Sequence, residues 1–579
     1  MKSGRDMLEP SAVVSPTRRL TVLAQDPDVG LVTEVEIPNE DILPGPRGRR
    51  IEVIDYDSTS DTFYGAHKIA PNDDFNGVTD LDRLVSNPSF HAQNVYGIVS
   101  STLFEFERAL GRYLSWGFSY GSHQLKVFPH AFLEANAFYS KQDECLAFGY
   151  FPNKRKRSES IFTCLSHDIV THETAHALLD SLRSELIRPA SRDQAAFHEG
   201  FSDIIALLKV LKSQSIIKYA IRKKLVHPNS KDQTVLVSKA ETILDEPSFL
   251  NGLAAQMARG LGMMNRNALR RCIELEPDPS IYEMKRGFND PHSRGEILVT
   301  VIMRAFLKVW KARLKEKSDP NPLAKVAAWR IEEEGAKAAS HLLRLIIRSI
   351  DYLPPVNIYF KDFLSAILTS DWQICPDDQP YQYRKILMET FDEYGIKPAY
   401  NRSFEPGVWG PGFDASEIKF GAANLDALHS NPEAIYKFIW DNQKPLKIAK
   451  GVFTRVNSVR PVWRVGPAGF TQRETVAEYY QLNKTATVED LKALGVRVPD
   501  FMTPAMQVEV LSGGTLIFDE FGRLKFHIYN RLSSETQHDR LVSLWRNGSL
   551  RGNDSTNAFA KLHRDRAFGT NGDPWGGWE

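Results

Sequence analysis

The sequence predicts an α+β fold with two lobes, and two observations along the chain lead to this class. Residues 124–150 contain short, alternating apolar runs between polar turns, which is typical of β-strands. Beyond residue 165 the apolar residues recur every three or four positions, which indicates amphipathic helices. A strand-rich part followed by a helical part favours an α+β fold, in which strands and helices occupy separate parts of the structure. Helices are expected at about residues 92–114, 167–183, 194–212, 249–273, 294–314, 323–350 and 359–370.

Changes in composition divide the chain into four expected parts. Around residues 515–529 two apolar runs preceded by Gly513-Gly514 and separated by a Gly turn predict a β-hairpin, and the Gly-rich tail from about 546 is expected to be loosely ordered. The parts are an N-terminal arm or small strand layer (1–60), a strand-rich lobe (61–190), a helical lobe (191–400) and an additional C-terminal α/β domain (401–579).

Composition and charge exclude several classes of function. Lys+Arg and Asp+Glu both total 72, so the zero net charge gives no reason to expect a nucleic-acid partner. No stretch reaches the ~18 apolar residues of a membrane span, and the N-terminus lacks the apolar core of a secretory signal. We therefore expect a protein without a membrane partner, cytoplasmic by default, with unconventional export left open. The sequence does not predict the oligomeric state.

Two further features carry little functional signal. The basic run Lys154–Arg157 is expected to be a solvated loop. The four cysteines stand far apart without a C-x-x-C pair, which argues against a disulfide framework and against a zinc site made of thiolates.

The strongest functional signal is the H-E-x-x-H segment at residues 172–176, within an expected helix. Residues four apart share one face of a helix, so the imidazoles of His172 and His176 can bind one cation. Glu173 is rotated by one residue, which places its carboxylate beside the open position of the metal. Imidazole together with carboxylate suits Zn²⁺, whose catalytic sites keep three protein ligands and a water.

The next expected helix supplies the third ligand. Glu199 and Asp203 are four residues apart and project from one face. Glu199 would complete the coordination of one zinc ion, while Asp203 would accept the ring N–H of a ligand histidine and fix its tautomer. His198 and His167 are expected to make local polar contacts instead of binding the metal.

These motifs resemble the thermolysin family of zinc metallopeptidases. Upstream, residues 136–139 (NAFY) resemble the edge strand with which the family binds the substrate backbone. Downstream, residues 290–294 (DPHSR) resemble the segment that carries the second catalytic histidine. The resemblance implies a two-lobed peptidase in which Asn136 and the Ala137 carbonyl hold the peptide and His292 donates a hydrogen bond to the oxyanion.

Several positions around the site depart from the family's pattern. His198 stands where the family has Asn, and residues 177–198 lack the tyrosine that helps to hold the oxyanion. Asp290, the acid nearest to His292, lies two residues before it, whereas the family's supporting aspartate lies about five residues earlier. If His292 is not the donor, the first alternatives are Arg183, Arg188 and Arg192.

Calcium is a doubtful cofactor. Asp168 matches a calcium ligand of the family, but the acidic partner would fall on Lys and apolar residues at 209–212. The resemblance covers roughly residues 60–400, without the signal and pro-domain that the relatives carry, which indicates a divergent branch.

We therefore expect a zinc-dependent endopeptidase acting on peptide or protein substrates. Zinc would lower the pKa of its bound water towards ~7, Glu173 would take the proton, and zinc and His292 would stabilise the oxyanion.

One rival is a catalytically weak homologue that binds zinc and uses the cleft for peptides or partners. A second is a zinc aminopeptidase, although the G-A-M-E-N-like anchor is missing. A third reading makes residues 401–579 an adaptor domain. The sequence does not predict the substrate, the cleavage preference or how activity is regulated.

Overall fold

The computed structural model describes most of the chain. The described residues are 16–118, 123–153, 159–188, 190–225, 234–245, 275–284, 291–316, 325–399, 405–420, 426–465, 469–546 and 550. Several predicted features lie outside these residues: the expected helix at 249–273, Asp290, the basic run Lys154–Arg157 and the last part of the tail. The backbone of His292 lies in a helix that the structure describes, but the structure does not describe its side chain.

Within the described residues the chain has a mixed α/β structure with 14 helices and several small sheets. The strands are β1 Thr17–Leu23, β2 Val32–Pro38, β3 Ile51–Val53, β4 Tyr56–Asp57, β5 Thr62–Phe63, β6 Leu125–Phe132, β7 Ala137–Ser140, β8 Cys145–Pro152, β9 Ser160–Phe162, β10 Thr234–Leu236, β11 Lys325–Ala327, β12 Phe453–Val465, β13 Thr471–Ala486, β14 Val508–Phe518 and β15 Leu524–Asn530. The helices are α1 Leu81–Val85, α2 Pro88–Leu110, α3 His167–Leu182, α4 Arg192–Leu211, α5 Gln214–Leu225, α6 Val237–Asp245, α7 Ile281–Met284, α8 Pro291–Glu316, α9 Ala328–Ser349, α10 Phe360–Ile374, α11 Tyr383–Asp392, α12 Pro432–Asp441, α13 Val488–Ala493 and α14 Glu535–Arg546. No helix among the described residues is both long enough and apolar enough to cross a membrane.

Helix boundaries differ from the sequence prediction where local chemistry sets them. α2 begins four residues before the predicted start, because the Asn87 side chain accepts the N–H of Ser89 and Pro88 occupies the first turn. It ends at Gly111, whose left-handed backbone (φ 70°) favours glycine. Residues 325–327, predicted as helix, form β11 instead and pair with β10.

The sheet nearest to the predicted metal ligands has the strand order β3-β6-β8-β7, with β9 also paired to β8. β3, β6 and β8 run parallel, whereas β7 pairs antiparallel with β8 and forms one edge of the sheet. On the other side of the core, β1 and β2 form a two-stranded sheet that packs on α2. A Cβ at Gly97 would lie 2.9 Å from Val22 Cγ1, so this close approach requires glycine.

α3 and α4 lie in the centre of the molecule and bring the predicted ligands together. α3 is buried over most of its length, as expected for a helix surrounded by core elements. Ser191 caps the N-terminus of α4, and its hydroxyl accepts the N–H of Gln194 at 3.1 Å. α8 crosses α4 at a contact between two glycines. A Cβ at Gly200 would lie 3.0 Å from the Gly295 carbonyl oxygen, and a Cβ at Gly295 would lie 2.9 Å from that of Ala196.

The C-terminal strands form an antiparallel sheet in the order β12-β13-β14-β15. The predicted hairpin is β14–β15, but Gly513-Gly514 lie inside β14 and do not precede the strand. A Cβ at Gly513 would lie 2.4 Å from the Tyr479 carbonyl oxygen, so the close strand contact requires glycine there. Val462, Val476 and Ile517 on this sheet belong to the same hydrophobic core as α3 and α4.

A buried ion-pair network also ties this sheet to the helices. Asp351 lies just after α9 and accepts hydrogen bonds from Arg112 at 2.8 Å and from Arg464 of β12 at 2.5 Å. Burial opposes ionisation of Asp351, but the two guanidinium groups outweigh it and lower the pKa of the carboxyl group. The C-terminal sheet is therefore held to the helical part by both apolar packing and paired charges.

Candidate metal centre

The three predicted zinc ligands converge in the structure. His172 and His176 lie one turn apart on α3, and Glu199 reaches them from α4. One ligand atom from each residue lies within 4.8 Å of the other two. All three residues are buried, with His172 the most exposed at 7%. We call these three residues the HExxH centre.

Asp203 fixes the tautomer of His172. Its Oδ1 atom lies 2.8 Å from His172 Nδ1, and because a carboxylate only accepts hydrogen bonds, Nδ1 carries a proton. Burial lowers the pKa of His172, but the carboxylates of Asp203, Glu173 and Glu199 outweigh this effect and raise it overall. In the neutral ring the Nε2 lone pair therefore points towards His176 and Glu199. Asp203 thus lies where the sequence analysis predicts it.

His176 is oriented by two neighbours on α4. Its Nδ1 atom lies 2.8 Å from His198 Nδ1 and 3.0 Å from the Ser202 hydroxyl, and the His176 and His198 rings are stacked 4.9 Å apart. With a proton on Nδ1, the Nε2 lone pair points to the HExxH centre. The polar contact predicted for His198 is therefore made with a ligand histidine. The sequence analysis missed Ser202, although its position three residues after Glu199 places it on the same helical face.

The spacing of the ligand atoms fits a small cation. Two zinc–nitrogen bonds of about 2.0–2.1 Å at a tetrahedral angle place the nitrogens roughly 3.3 Å apart. The Nε2 atoms of His172 and His176 lie 2.9 Å apart, and the Glu199 oxygens lie 3.9 and 3.7 Å from them. Two imidazole lone pairs this close repel each other unless a proton or a cation lies between them. Shifts of roughly half an ångström would produce a tetrahedral ligand set with one open position.

Glu173 lies beside this ligand set and contacts the edge strand β7. The N–H of Tyr139 donates to Glu173 Oε2 at 3.0 Å, and the Tyr139 hydroxyl donates to Asp180 at 2.8 Å. Backbone groups of alternate residues point to the same side of a strand, so the Ala137 carbonyl faces the same side as the Tyr139 N–H. The structure therefore brings the predicted base next to the strand predicted to hold substrate.

Asn136 immediately precedes β7 and is 5% exposed. Its carbonyl accepts the N–H of Gly149 at 2.9 Å, which joins it to β8, and its Oδ1 accepts the N–H of Ala137 at 2.9 Å. Its Nδ2 group has no hydrogen-bond partner among the described residues. Asn136 is thus held in place through its oxygens, while its amide N–H groups are buried without an acceptor among the described residues.

The position of α8 brings His292 into the same neighbourhood as the HExxH centre. Gly295, three residues after His292, contacts Gly200, which directly follows Glu199. Arg294 is 1% exposed and pairs with Asp193 of α4, which also fixes the start of α8. The side chain of His292 and its predicted supporting acid Asp290 lie outside the described residues.

The alternative arginine donors make structural contacts in the described part of the chain. Arg183 is 1% exposed, and its guanidinium group binds the Ile350 carbonyl, the Thr515 hydroxyl and Glu478. Arg188 pairs with two carboxylates, Glu185 and Glu509, and Arg192 lies over the ring of Tyr282. Arg183 in particular is used to join α3 to the C-terminal sheet.

Two residues considered as calcium-site positions in the sequence analysis, Lys209 and Asp168, contact other groups of the protein. Lys209 is 5% exposed, and its ammonium group donates to the Ile98 carbonyl and to the hydroxyls of Ser101 and Thr102 on α2. Asp168 instead accepts from the Ser166 hydroxyl at 2.5 Å. Burial lowers the pKa of Lys209 well below its usual range, and the side chain places an amine at a position where a calcium site needs a carboxylate. His167, which precedes Asp168, contacts the Leu23 carbonyl at 2.9 Å, the local polar contact expected from the sequence.

Comparison of the chain with known protein families, with curated proteins and with solved structures gave no match. The chemical interpretation of the centre therefore depends on its residues and their geometry.

Proposed function

We propose that this chain is a zinc-dependent endopeptidase with a thermolysin-like, two-lobed arrangement around the HExxH centre. The observation that carries the proposal is the convergence of two imidazole Nε2 atoms and one carboxylate from α3 and α4. Two imidazoles and a carboxylate with an open fourth position are typical of catalytic zinc. The neighbouring Glu173 and the edge strand β7 add a base and a surface for an extended peptide.

Each residue around the centre has a defined task in this proposal. Zinc, when bound, would supply a Lewis acid that lowers the pKa of a water towards ~7. Glu173 accepts a proton from the attacking water and passes it to the leaving amine, a contribution of about 10²–10⁴ in rate. Asp203 holds the proton on His172 Nδ1, so that Nε2 remains available. His292 donates a hydrogen bond to the oxyanion as charge develops on the substrate carbonyl.

The substrate would bind as an extended strand along β7. The Ala137 carbonyl accepts a backbone N–H of the peptide, and the Asn136 side chain, whose Nδ2 group is buried, turns outwards to donate to a peptide carbonyl. Because the Tyr139 N–H contacts Glu173 on the same side of β7, a peptide bound there lies next to the base. This placement favours cleavage within a peptide, since backbone contacts on a strand do not require a free terminal amine.

The test combines metal analysis with hydrolysis of a peptide blocked at its N-terminus. Wild-type protein is expected to bind zinc and cleave the blocked peptide, and Glu173→Gln is expected to retain zinc without turnover. Glu199→Ala is expected to lose both. Glu333→Gln is a suitable control, because Glu333 is a partly exposed carboxylate paired with Lys337 on α9. Cleavage by Glu173→Gln at a near-normal rate would overturn the proposal, as would full activity of Glu199→Ala. Cleavage restricted to peptides with a free amine would indicate an aminopeptidase instead.

A further inference from the structure

A second group of buried ligand atoms lies where three elements meet beside α3. His91 is in the first turns of α2, His130 is on β6, and Cys164 is in the 3₁₀ turn Thr163–Leu165 that leads into α3. Their exposures are 2%, 2% and 0%, and one ligand atom from each lies within 4.8 Å of the other two. We call these three residues the thiol cluster.

Hydrogen bonds fix the tautomers of both histidines. His91 Nε2 lies 2.8 Å from the Val85 carbonyl oxygen, which only accepts, so Nε2 carries a proton. His130 Nδ1 lies 2.6 Å from Asp55 Oδ1, so Nδ1 carries a proton as well. The remaining nitrogens, His91 Nδ1 and His130 Nε2, face each other at 2.8 Å. In the neutral rings two lone pairs therefore point at the same small region.

Two lone pairs this close repel each other. An additional proton or a metal ion can relieve the repulsion, and the presence of Cys164 favours the metal ion. A proton shared by the two nitrogens needs no further donor, whereas the Cys164 sulfur lies within 4.8 Å of one ring nitrogen of each histidine. Asp55 adds the carboxylate that orients a ligand histidine in many zinc sites.

We propose that the thiol cluster binds a structural metal ion of the zinc class through His91 Nδ1, His130 Nε2 and Cys164 Sγ. Imidazole and thiolate are the donors that zinc prefers in proteins. Binding displaces the thiol proton to solvent and forms one metal–sulfur and two metal–nitrogen bonds, with no change in oxidation state. The charge of a divalent ion is balanced by the thiolate and the Asp55 carboxylate.

The position of Cys164 gives the ion a structural task. Cys164 lies eight residues before His172, in the turn that sets the direction of α3. The ion would join α2, β6 and this turn, and so hold the start of the helix that carries the HExxH centre. Its surroundings are aromatic: the ring of Phe162 lies 4.7 Å from His91 and 5.3 Å from His130, and Tyr64 lies 5.0 Å from His130. These rings and the burial of all three donor residues separate the cluster from bulk water, as suits a structural ion.

Cobalt substitution distinguishes the two centres, because only the thiol cluster contains sulfur. Glu199→Ala protein, which lacks an intact HExxH centre, is loaded with Co²⁺ and its near-ultraviolet spectrum is recorded. We expect a thiolate-to-cobalt charge-transfer band, and one cobalt ion per chain should remain bound after weakly held metal is removed. Introducing Cys164→Ser into this background should abolish the band. Cys375→Ser, which alters an exposed cysteine, should leave it unchanged.

The outcome decides the proposal independently of peptidase activity. Absence of the charge-transfer band in cobalt-loaded Glu199→Ala protein would overturn it, even if the Cys164→Ser protein did not fold. Persistence of the band in a folded Cys164→Ser protein would overturn it as well. Wild-type protein with zinc only at the HExxH centre would retain the proposed peptidase function and contradict only the second site.

Discussion

The HExxH centre and the thiol cluster contain the same imidazole arrangement with different partners. In each, a carboxylate holds the Nδ1 proton of one histidine: the partly exposed Asp203 lies 2.8 Å from His172, and the buried Asp55 lies 2.6 Å from His130. In each, two ring nitrogens face each other, at 2.9 and 2.8 Å respectively. The third donor differs, since it is a carboxylate at the HExxH centre and a thiol at the thiol cluster.

The residues around the two centres suggest different uses of the same ligand geometry. At the HExxH centre an additional carboxylate, Glu173, lies beside the ligands and touches an edge strand. At the thiol cluster Asp55 is engaged by His130, and aromatic rings pack against both histidines. Under the two proposals, a histidine pair serves metal binding at both centres, and only the HExxH centre adds a base and a surface for substrate.

The largest effect is expected from removing the base at the HExxH centre. Glu173→Gln keeps the shape of the side chain but cannot accept a proton, so kcat should fall by about 10²–10⁴ while zinc stays bound. Steady-state hydrolysis of a blocked peptide and metal analysis of the same sample measure both quantities. Loss of zinc without loss of turnover in this variant would contradict the assignment of Glu173 as a base that does not bind the metal.

His292→Ala should have the next largest effect. Loss of one oxyanion donor typically costs about 10²–10³ in rate. Because the donor acts only when charge develops, kcat and kcat/KM should fall together, with KM little changed and zinc retained. Because residues 177–198 contain no tyrosine that could share the developing charge, the loss should lie towards the upper end of this range. A rate within a few-fold of wild type would rule out His292 as the donor.

The two supporting carboxylates should act on separate ions. Asp203→Asn should weaken zinc binding at the HExxH centre by roughly 10–100-fold, because the neutral amide polarises the His172 ring less than a carboxylate does. Asp55→Asn should weaken binding at the thiol cluster to a similar extent. Titration with a competing chelator, followed through the cobalt spectrum, reports both affinities. If either variant weakened metal binding at both centres equally, the two carboxylates would not act on separate ions.

A smaller effect is expected at the crossing of α4 and α8. Gly200→Ala places a Cβ 3.0 Å from the Gly295 carbonyl oxygen, so the helices must move apart slightly. Overpacking of this kind typically lowers the free energy of unfolding by about 1–3 kcal/mol. Denaturant unfolding measures the change. Unchanged stability would show that α4 and α8 do not pack as closely as the contact between Gly200 and Gly295 indicates.

Calcium should have the smallest effect. Lys209 is a buried lysine at one of the positions where the sequence analysis looked for an acidic calcium ligand. Millimolar calcium should therefore leave the melting temperature nearly unchanged, whereas zinc removal should lower it. A rise of many degrees on calcium addition would contradict this assignment.

Local periodicity predicted the parts of this fold and site that depend on spacing within one element. The i, i+4 pairs His172/His176 and Glu199/Asp203 could be recognised because helical geometry alone places each pair on one face. The position of β7 at the edge of its sheet followed from a family resemblance and not from its composition.

The remaining features depend on contacts between elements that are distant in the sequence. His91, His130 and Cys164 lie in a helix, a strand and a turn, so no spacing rule connects them, and the sequence analysis argued against a thiolate site. The inclusion of Gly513 within a strand depends on its contact with β13. Such contacts appear only when the tertiary structure is known.

The central claim is tested most directly by a crystal structure of the zinc-loaded protein with anomalous data collected at the zinc absorption edge. The account predicts an anomalous peak about 2.0–2.1 Å from the Nε2 atoms of His172 and His176 and about 2.0–2.2 Å from a Glu199 oxygen. Zinc-loaded crystals without a peak at this position, or with Glu199 turned away from it, would contradict the account even if the thiol cluster were occupied.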